Sequence, residues 1–414
     1  MKHANFFVNV TWLTAGNLAV KPVWFVFITY VCIRTIGAEQ YGVMAAALAL
    51  MSIVDGTLMP GTSTLTVREV ARRKERSSLF FTNFLVARGV LSLVGIAAGL
   101  AIATLLGNRS VLFTVALAGL YIVARSFTEF CRTFYRANEI FKREAYSTVL
   151  EKILVVISGS VALAIVPSAS SVLLGMSLVM IATSAVNYRW VVSEFAKFRR
   201  SLLDSDFVRN AIPLAIPLGL SNLFILLFLR TDSVMIEAFV GEVATAQYAL
   251  AFRILEALVI VPSIFVTVLL PRLSILSKTD LSMFHRISWR TTLGMFFVAT
   301  FLSAAVWAGA PTIIRLIDDS AVMLPSVPLL QVLIWSFPLS ATNFLLSTTL
   351  TAADKQKSMA IILGIAAVLN IVLNLWSIPV YGATGAAYAT IATQIIVSIS
   401  FLYVMGAATQ GSEE

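Results

Sequence analysis

The chain has 414 residues, of which 59% are hydrophobic and only 12% are charged. Soluble domains carry about 25% charged residues, so this composition excludes a globular protein surrounded by water. Two cysteines and two histidines are too few for a disulfide framework or a Cys/His metal cluster, so neither a metal nor a cofactor is expected. The solvent that suits such a chain is the lipid bilayer.

Crossing a bilayer as a helix takes about 20 mostly apolar residues. Twelve stretches meet that requirement, and in chain order they are 9–33, 43–64, 80–106, 111–131, 146–166, 170–192, 207–239, 243–270, 287–309, 327–350, 357–378 and 383–405. The first is interpreted as a permanent helix, because it lacks a short apolar core with a small-residue cleavage site. The sequence therefore predicts an all-α membrane protein with twelve transmembrane helices.

Lysine and arginine are concentrated in one set of alternate loops. These loops hold 21 cations, including the cluster 68–76, whereas the opposite loops hold only Arg34, Arg109 and Arg315. Cytoplasmic loops are the basic ones, so both termini of this multi-pass protein are predicted to lie on the cytoplasmic side of the inner membrane. The asymmetry accounts for the net charge of +9 without a nucleic-acid partner, and the basic loops are expected to contact anionic membrane lipids.

A basic connection at 193–206 divides the spans into an N-terminal half, 1–192, and a C-terminal half, 207–414. Short similarities relate the halves, such as the glycines Gly37 and Gly241 that each precede a span. Each half holds an even number of spans, so both have the same topology, as in transporters built from parallel repeats. We expect two six-helix lobes related by a pseudo-two-fold axis along the membrane normal, with a cavity between them.

Charged residues also fall inside the predicted spans, where each costs at least about 2.5–3.5 kcal/mol on insertion scales. The cations not assigned to a loop are Lys21, Arg88, Arg125, Lys152, Arg230 and Arg253, and the acids include Asp55, Glu129, Glu151, Asp232 and Glu256. Arg88 and Lys152 lie early in spans that start in the cytoplasm, so their side chains can extend to the interface. Arg125 and Glu129 are four residues apart and share a helix face near a cytoplasmic end.

Two of the charges lie near the middle of the first two spans. Lys21 is about twelve residues into its helix, which corresponds to a depth of roughly 18 Å. Asp55 reaches a similar depth in the second span. Intramembrane charges usually pair, so we expect these two residues to form an ion pair, to line a cavity, or both.

The seventh and eighth spans carry a second group of charges. Glu256 follows Arg253 by three residues, so a same-helix pair is available. Asp232 is only two residues from Arg230 and points elsewhere, which leaves it free to neutralise Arg253 or to face the cavity. The candidate substrate-binding residues are Lys21, Arg230, Arg253 and Arg125. The candidates for balancing charge or taking a coupling ion are Asp55, Asp232 and Glu256.

Motifs for other chemistries are missing from the sequence. It contains no Walker A motif, no dinucleotide-binding glycine motif and no HExxH zinc motif. Two histidines leave no reasonable Ser-His-Asp set. The sequence therefore predicts a transporter, not an enzyme, whose energy comes from an ion or substrate gradient.

Four motifs carry a resemblance that covers nearly the whole chain. They are the run 34–42, Asp55-Gly56 followed by the basic exit 68–72, Asp232 to Arg253 followed by Pro262 and Pro271-Arg272, and Asn370…Asn374…Pro379 continuing through Ala387. In order and placement they resemble the polysaccharide flippases (Wzx-like O-antigen translocases). These flippases belong to the multidrug/oligosaccharidyl-lipid/polysaccharide (MOP) exporter superfamily.

The resemblance implies two six-helix lobes around a cationic lumen. It also implies a substrate, an undecaprenyl-diphosphate-linked oligosaccharide flipped to the outer leaflet. As further partners we expect H⁺ or Na⁺ as the coupling ion and the polysaccharide polymerase machinery. Arginine and lysine are the expected partners of a diphosphate. The alternatives are a multidrug or cation antiporter of the same superfamily and a membrane glycan polymerase, although the longest outer loop, 310–326, is short for an enzyme.

Overall fold

The computed structural model describes residues 20–105 and 111–410, and this part of the chain forms helices and connections without a strand. The first six helices are α1 (Val20–Leu58), α2 (Thr62–Arg72), α3 (Ser77–Leu105), α4 (Leu112–Ala137), α5 (Phe141–Ile165) and α6 (Ala169–Glu194). They are followed by α7 (Ser205–Phe239), α8 (Glu242–Leu258), α9 (Ile260–Thr279), α10 (Leu281–Ile317), α11 (Ser326–Leu333), α12 (Ser336–Ala352), α13 (Gln356–Tyr381) and α14 (Ala383–Gln410).

Within these residues, 11 helical stretches are long and apolar enough to cross a membrane. The prediction of an all-α membrane protein is confirmed. The count of twelve spans stays a prediction, because residues 9–19 of the first predicted span lie outside the described residues.

Helix α1 contains a break at Gly37, between the first two predicted spans. The Gly37 backbone has φ 79° and ψ 168°, a conformation that only glycine adopts without strain. A π-helical stretch, Val26–Val31, precedes the break. The 39 residues of α1 would extend nearly 60 Å if straight, about twice the hydrocarbon thickness, so the break separates two segments of membrane-spanning length.

Two other predicted spans are each divided into two helices. The span 243–270 consists of α8 and α9, which meet at Val259, and the span 327–350 consists of α11 and α12. Proline follows each division: Pro262 is in the first turn of α9 and Pro338 is in the first turn of α12. The backbone N–H groups of a first turn make no hydrogen bond within the helix, so a proline there removes none. At the second division the hydroxyl of Ser303 donates a hydrogen bond of 3.1 Å to the Ile334 carbonyl.

The helices pack into two compact units, one ending at Leu226 and the other beginning at Leu227. The division falls inside α7, so this helix supplies residues to both units. In the first unit, the N-terminal half of α7 lies against the turn between α1 and α2, where Gly219 contacts Gly61. The predicted lobes, their linker at 193–206 and their two-fold relation remain predictions.

Each unit has its own apolar core. The core of the first unit is aromatic, and its buried rings are Phe80, Phe81, Phe84, Phe130, Phe134 and Tyr135 on α3 and α4. The core of the second unit lies between α12, α13 and α14, and its buried side chains are Leu346, Leu350, Ala366, Val397, Phe401 and Met405.

Candidate functional site

The most enclosed charged group of the second unit is the carboxylate of Asp232, on α7, which is only 2% exposed. Three helices supply its hydrogen-bond donors. The amide of Asn374 on α13 donates to Oδ1 at 2.7 Å, and the hydroxyl of Thr390 on α14 donates to Oδ2 at 3.0 Å. The hydroxyl of Tyr248 on α8 also donates to Oδ2. We call these four residues the Asp232 site.

Every hydrogen-bond donor to Asp232 is electrically neutral. The expectation that Asp232 neutralises Arg253 or is free to face a cavity is therefore corrected: its two oxygens are engaged by an amide and two hydroxyls. Neutral donors offset only part of the cost of burying a charge. Beside it, Oδ1 of Asn374 and Nδ2 of Asn370 are buried without a hydrogen-bond partner among the described residues.

Two arginines and one glutamate form the second feature of this unit. Glu256 on α8 pairs with Arg253 of the same helix at 2.9 Å and with Arg230 of α7 at 3.2 Å. The expected same-helix pair is confirmed, and Glu256 also reaches the neighbouring helix. All three side chains are partly exposed, at 21–28%. We call these three residues the arginine cluster, and its two guanidinium groups outnumber its single carboxylate.

The first unit brings Asp55 of α1 close to Ser126 and to two cations. Arg88 of α3 and Arg125 of α4 act electrostatically on its carboxylate, and the Ser126 hydroxyl is within hydrogen-bonding reach. Lys21 is exposed and is not one of these cations. In the described part of the chain, the expected Lys21–Asp55 ion pair is therefore absent.

The position of Arg88 in the sequence suggested that its side chain extends to the interface, but in the structure it does not. Its guanidinium donates to the hydroxyls of Ser126 at 2.7 Å, Thr62 at 3.0 Å and Ser63 at 3.2 Å. It also lies 5.1 Å from the centroid of the Phe130 ring, a cation–π distance. Arg88 thus ties α3 to α2 and α4. Lys152 likewise lies over an aromatic ring, that of Trp24, at 5.0 Å.

The largest charged network of the first unit was not predicted. Arg132 is 5% exposed and pairs with Glu151, itself 2% exposed, at 2.6 Å. Arg136 pairs with Glu144 at 2.6 Å and also with Glu129. Sequence reasoning assigned the two arginines to a basic cytoplasmic loop. The sequence contained one indication of this network, the seven-residue spacing of Glu144 and Glu151. This spacing places both acids on the same face of α5, and in the structure that face contacts α4.

Comparison with known proteins gives two family matches. The family model for polysaccharide biosynthesis proteins matches residues 6–277, and the model named MatE matches residues 217–376. No curated protein matches the chain. The second match includes both the arginine cluster and Asp232.

Solved structures with the same fold include three transporters. The lipid II flippase MurJ, in an inward closed conformation, has a TM-score of 0.72 and 15% identity over 97% of this chain and 87% of its own. An inward-facing multidrug resistance MATE family transporter of the MOP superfamily has a TM-score of 0.68 and 15% identity, over 97% and 96%. A MOP superfamily transporter from Pyrococcus furiosus, whose binding pocket has reverse polarity, has a TM-score of 0.61 and 13% identity, over 95% and 94%.

The fold and the family matches together define the class, a multi-pass membrane transporter of the MOP superfamily and not an enzyme. The alternative of a glycan polymerase is therefore wrong. Within that class, the chain belongs to the polysaccharide biosynthesis protein family, whose model matches more than half of its length. The resemblance to the polysaccharide branch of the superfamily is confirmed.

Proposed function

We propose that this protein flips an undecaprenyl-diphosphate-linked oligosaccharide, the repeat unit of a surface polysaccharide such as O-antigen, by alternating access. The substrate moves from the cytoplasmic to the outer leaflet of the inner membrane. The observation that carries the proposal is the arginine cluster, in which Arg230 and Arg253 share one carboxylate. Guanidinium groups bind phosphate oxygens through parallel hydrogen bonds, so two of them match the two phosphates of a diphosphate.

Glu256 supports both binding and release in this proposal. Without substrate, its carboxylate holds both guanidinium groups in position and reduces the cost of their partial burial. With one negative charge against two positive ones, the cluster still attracts an anion. When the diphosphate leaves, Glu256 again pairs with both arginines, which lowers the barrier to release.

We assign the coupling ion, H⁺ or Na⁺, to Asp232. Among the described residues, its donors are neutral and leave the carboxylate charge without a cationic partner, and Oδ1 of Asn374, which has no hydrogen-bond partner among them, is a further ligand for a hydronium ion or a small cation. Asp232 lies two residues from Arg230 on α7. Ion binding and substrate binding therefore act on the same helix.

In the first unit, we propose that Lys21 and Arg125 attract the substrate and that Asp55 balances the charge of Arg125. Both cations are exposed, and Arg125 is one of the two cations that act on Asp55. The proposal also includes cytoplasmic termini, in agreement with the loop charges. A repeat unit delivered to the outer leaflet is the substrate for polymerisation, so the proposal also includes association with the polymerase machinery.

Export of surface glycan in cells tests the proposal. Arg230→Ala and Arg253→Ala should each lower export about 10-fold or more, because a hydrogen bond to a charged group contributes about 1.5–3 kcal/mol. Arg230→Lys should retain part of the export, because it keeps the charge. Arg315→Ala is the matched control, since Arg315 is 65% exposed in a 3.9 Å pair with Asp319. Normal export by both alanine variants at normal abundance would contradict the assignment.

A multidrug or cation antiporter is the second candidate function. The MatE match and the buried acid Asp232 favour it, because an acidic site suits an organic cation. Resistance of cells to cationic dyes separates the two functions. A flippase should leave resistance unchanged when expressed, whereas an antiporter should raise it in a manner that Asp232→Asn abolishes.

A further inference from the structure

A hydrogen bond and an ion pair join α7 to α8, and they belong to different parts of the candidate site. Tyr248 of α8 donates to Asp232 of α7, and Glu256 of α8 pairs with Arg230 of α7. Arg230 and Asp232 are only two residues apart on their helix. A movement of α8 against α7 therefore changes both contacts at once.

The ring of Tyr248 is fixed to α8 by packing. Tyr248 is 1% exposed, and its ring stacks on that of Phe252, one turn further, with centroids 5.9 Å apart and planes at 18°. Phe252 is the residue before Arg253. The Tyr248 hydroxyl is therefore attached to the same rigid segment that carries Arg253 and Glu256.

Thr390 provides an internal comparison for Tyr248. Both hydroxyls donate to the same oxygen, Oδ2 of Asp232. Thr390, however, belongs to α14, which contributes nothing to the arginine cluster. Loss of either hydroxyl removes one donor from Asp232, but only loss of the Tyr248 hydroxyl also removes a contact between α7 and α8.

The charge of Asp232 governs the strength of these contacts. A carboxylate is a stronger hydrogen-bond acceptor than the same group once an ion compensates its charge. A buried hydroxyl that loses its acceptor is unfavourable, because no water replaces the bond. Occupation of Asp232 by the coupling ion therefore weakens the hydrogen bond from Tyr248 of α8 to α7 and alters how Glu256 is presented to Arg230.

We propose that Tyr248 is a positioning residue that couples the Asp232 site to the arginine cluster. When an ion occupies Asp232, the hydrogen bond from Tyr248 weakens and α8 shifts against α7. The shift changes the distances of Arg253 and Glu256 from Arg230. The inference rests on the proposed function, since it assigns the route between the ion site and the diphosphate site.

Binding of farnesyl diphosphate to the purified full-length protein in detergent tests the coupling. The dissociation constant is measured for wild type and Asp232→Asn, and then for the same pair in Tyr248→Phe and Thr390→Val backgrounds. Tyr248→Phe keeps the ring on Phe252 and removes only the hydroxyl. A thermal unfolding curve for each variant confirms that it is folded.

Asp232→Asn should tighten binding in the wild-type background by about five-fold or more, the lower end of couplings between linked sites. Part of this effect is the through-space action of the lost charge, which is common to all backgrounds. The change in the logarithm of the dissociation constant that Asp232→Asn causes should fall to less than half in the Tyr248→Phe background. In the Thr390→Val background it should keep its wild-type size.

The remaining outcomes overturn the inference in distinguishable ways. Equal responses in all three backgrounds, or equal losses in Tyr248→Phe and Thr390→Val, would show that Tyr248 carries no special coupling, while the proposed function stands. No response of wild type to Asp232→Asn would contradict any coupling from this site. No binding of farnesyl diphosphate by wild type would contradict the diphosphate site itself, and the inference would fall with it.

Discussion

The contact between α7 and the turn at Gly61 yields a prediction about Gly219. A Cβ added at Gly219 would lie 2.0 Å from the backbone nitrogen of Gly61 and 2.5 Å from its Cα. The third neighbour, the carbonyl carbon of Pro60 at 2.5 Å, is also a backbone atom, so no side chain can rotate away. The helix and the turn must separate by about 1.4 Å to restore ordinary contact at 3.4 Å.

Gly219→Ala should therefore destabilise the protein. Overpacking of a fitted contact typically costs about 1–3 kcal/mol and occasionally more, and here the rigidity of both backbones places the cost at the upper end. The cost exceeds the roughly 1 kcal/mol by which alanine favours a helix over glycine, so the net effect is a lower unfolding temperature.

Thermal unfolding in detergent, followed by the fraction that remains monodisperse, measures this effect. Gly294→Ala is the matched control, because Gly294 lies within α10 and a Cβ there meets no atom within 4 Å. The control should unfold at the wild-type temperature or above it, and Gly219→Ala several degrees below. Equal unfolding temperatures for the two variants would show that α7 and the turn at Gly61 are not in close backbone contact.

Three further predictions follow from the fold. Glu151→Gln removes the nearer of the two carboxylates that pair with the buried Arg132 and leaves only Glu129, at 3.6 Å, so it should lower stability by about 3 kcal/mol, measured as loss of folded protein after extraction. Gly37→Ala meets no steric contact but places alanine at φ 79°, so its thermal unfolding should reveal a cost of about 1–2 kcal/mol from backbone strain alone. A reporter fused at Phe198 should report the cytoplasm, and an external report there would contradict the proposed orientation.

The sequence was sufficient for those features that depend on local composition. Stretches of about 20 apolar residues predict membrane helices because the bilayer imposes that length. The pairing of Arg253 with Glu256 was predictable because residues three apart share a helix face.

Contacts between helices that are distant in sequence were beyond such reasoning. Asp232 takes donors from α13 and α14, and no local spacing relates Asn374 or Thr390 to it. Arg88 was expected at the interface because its depth allows that position, yet hydroxyls on α2 and α4 hold it inside. Arg132 was counted with a basic loop because helix ends shift by several residues, and this one extends to Ala137.

Transport by the purified protein in liposomes shows whether the protein itself flips a lipid-linked oligosaccharide. A fluorescent undecaprenyl-diphosphate-linked oligosaccharide is incorporated, and its appearance in the opposite leaflet is followed by accessibility to a membrane-impermeant quencher. Wild type should translocate the lipid, Arg315→Ala should match it, and Arg230→Ala and Arg253→Ala should each be about 10-fold slower or more. Liposomes in which wild type moves a cationic dye but leaves the lipid-linked oligosaccharide in its original leaflet would contradict the account.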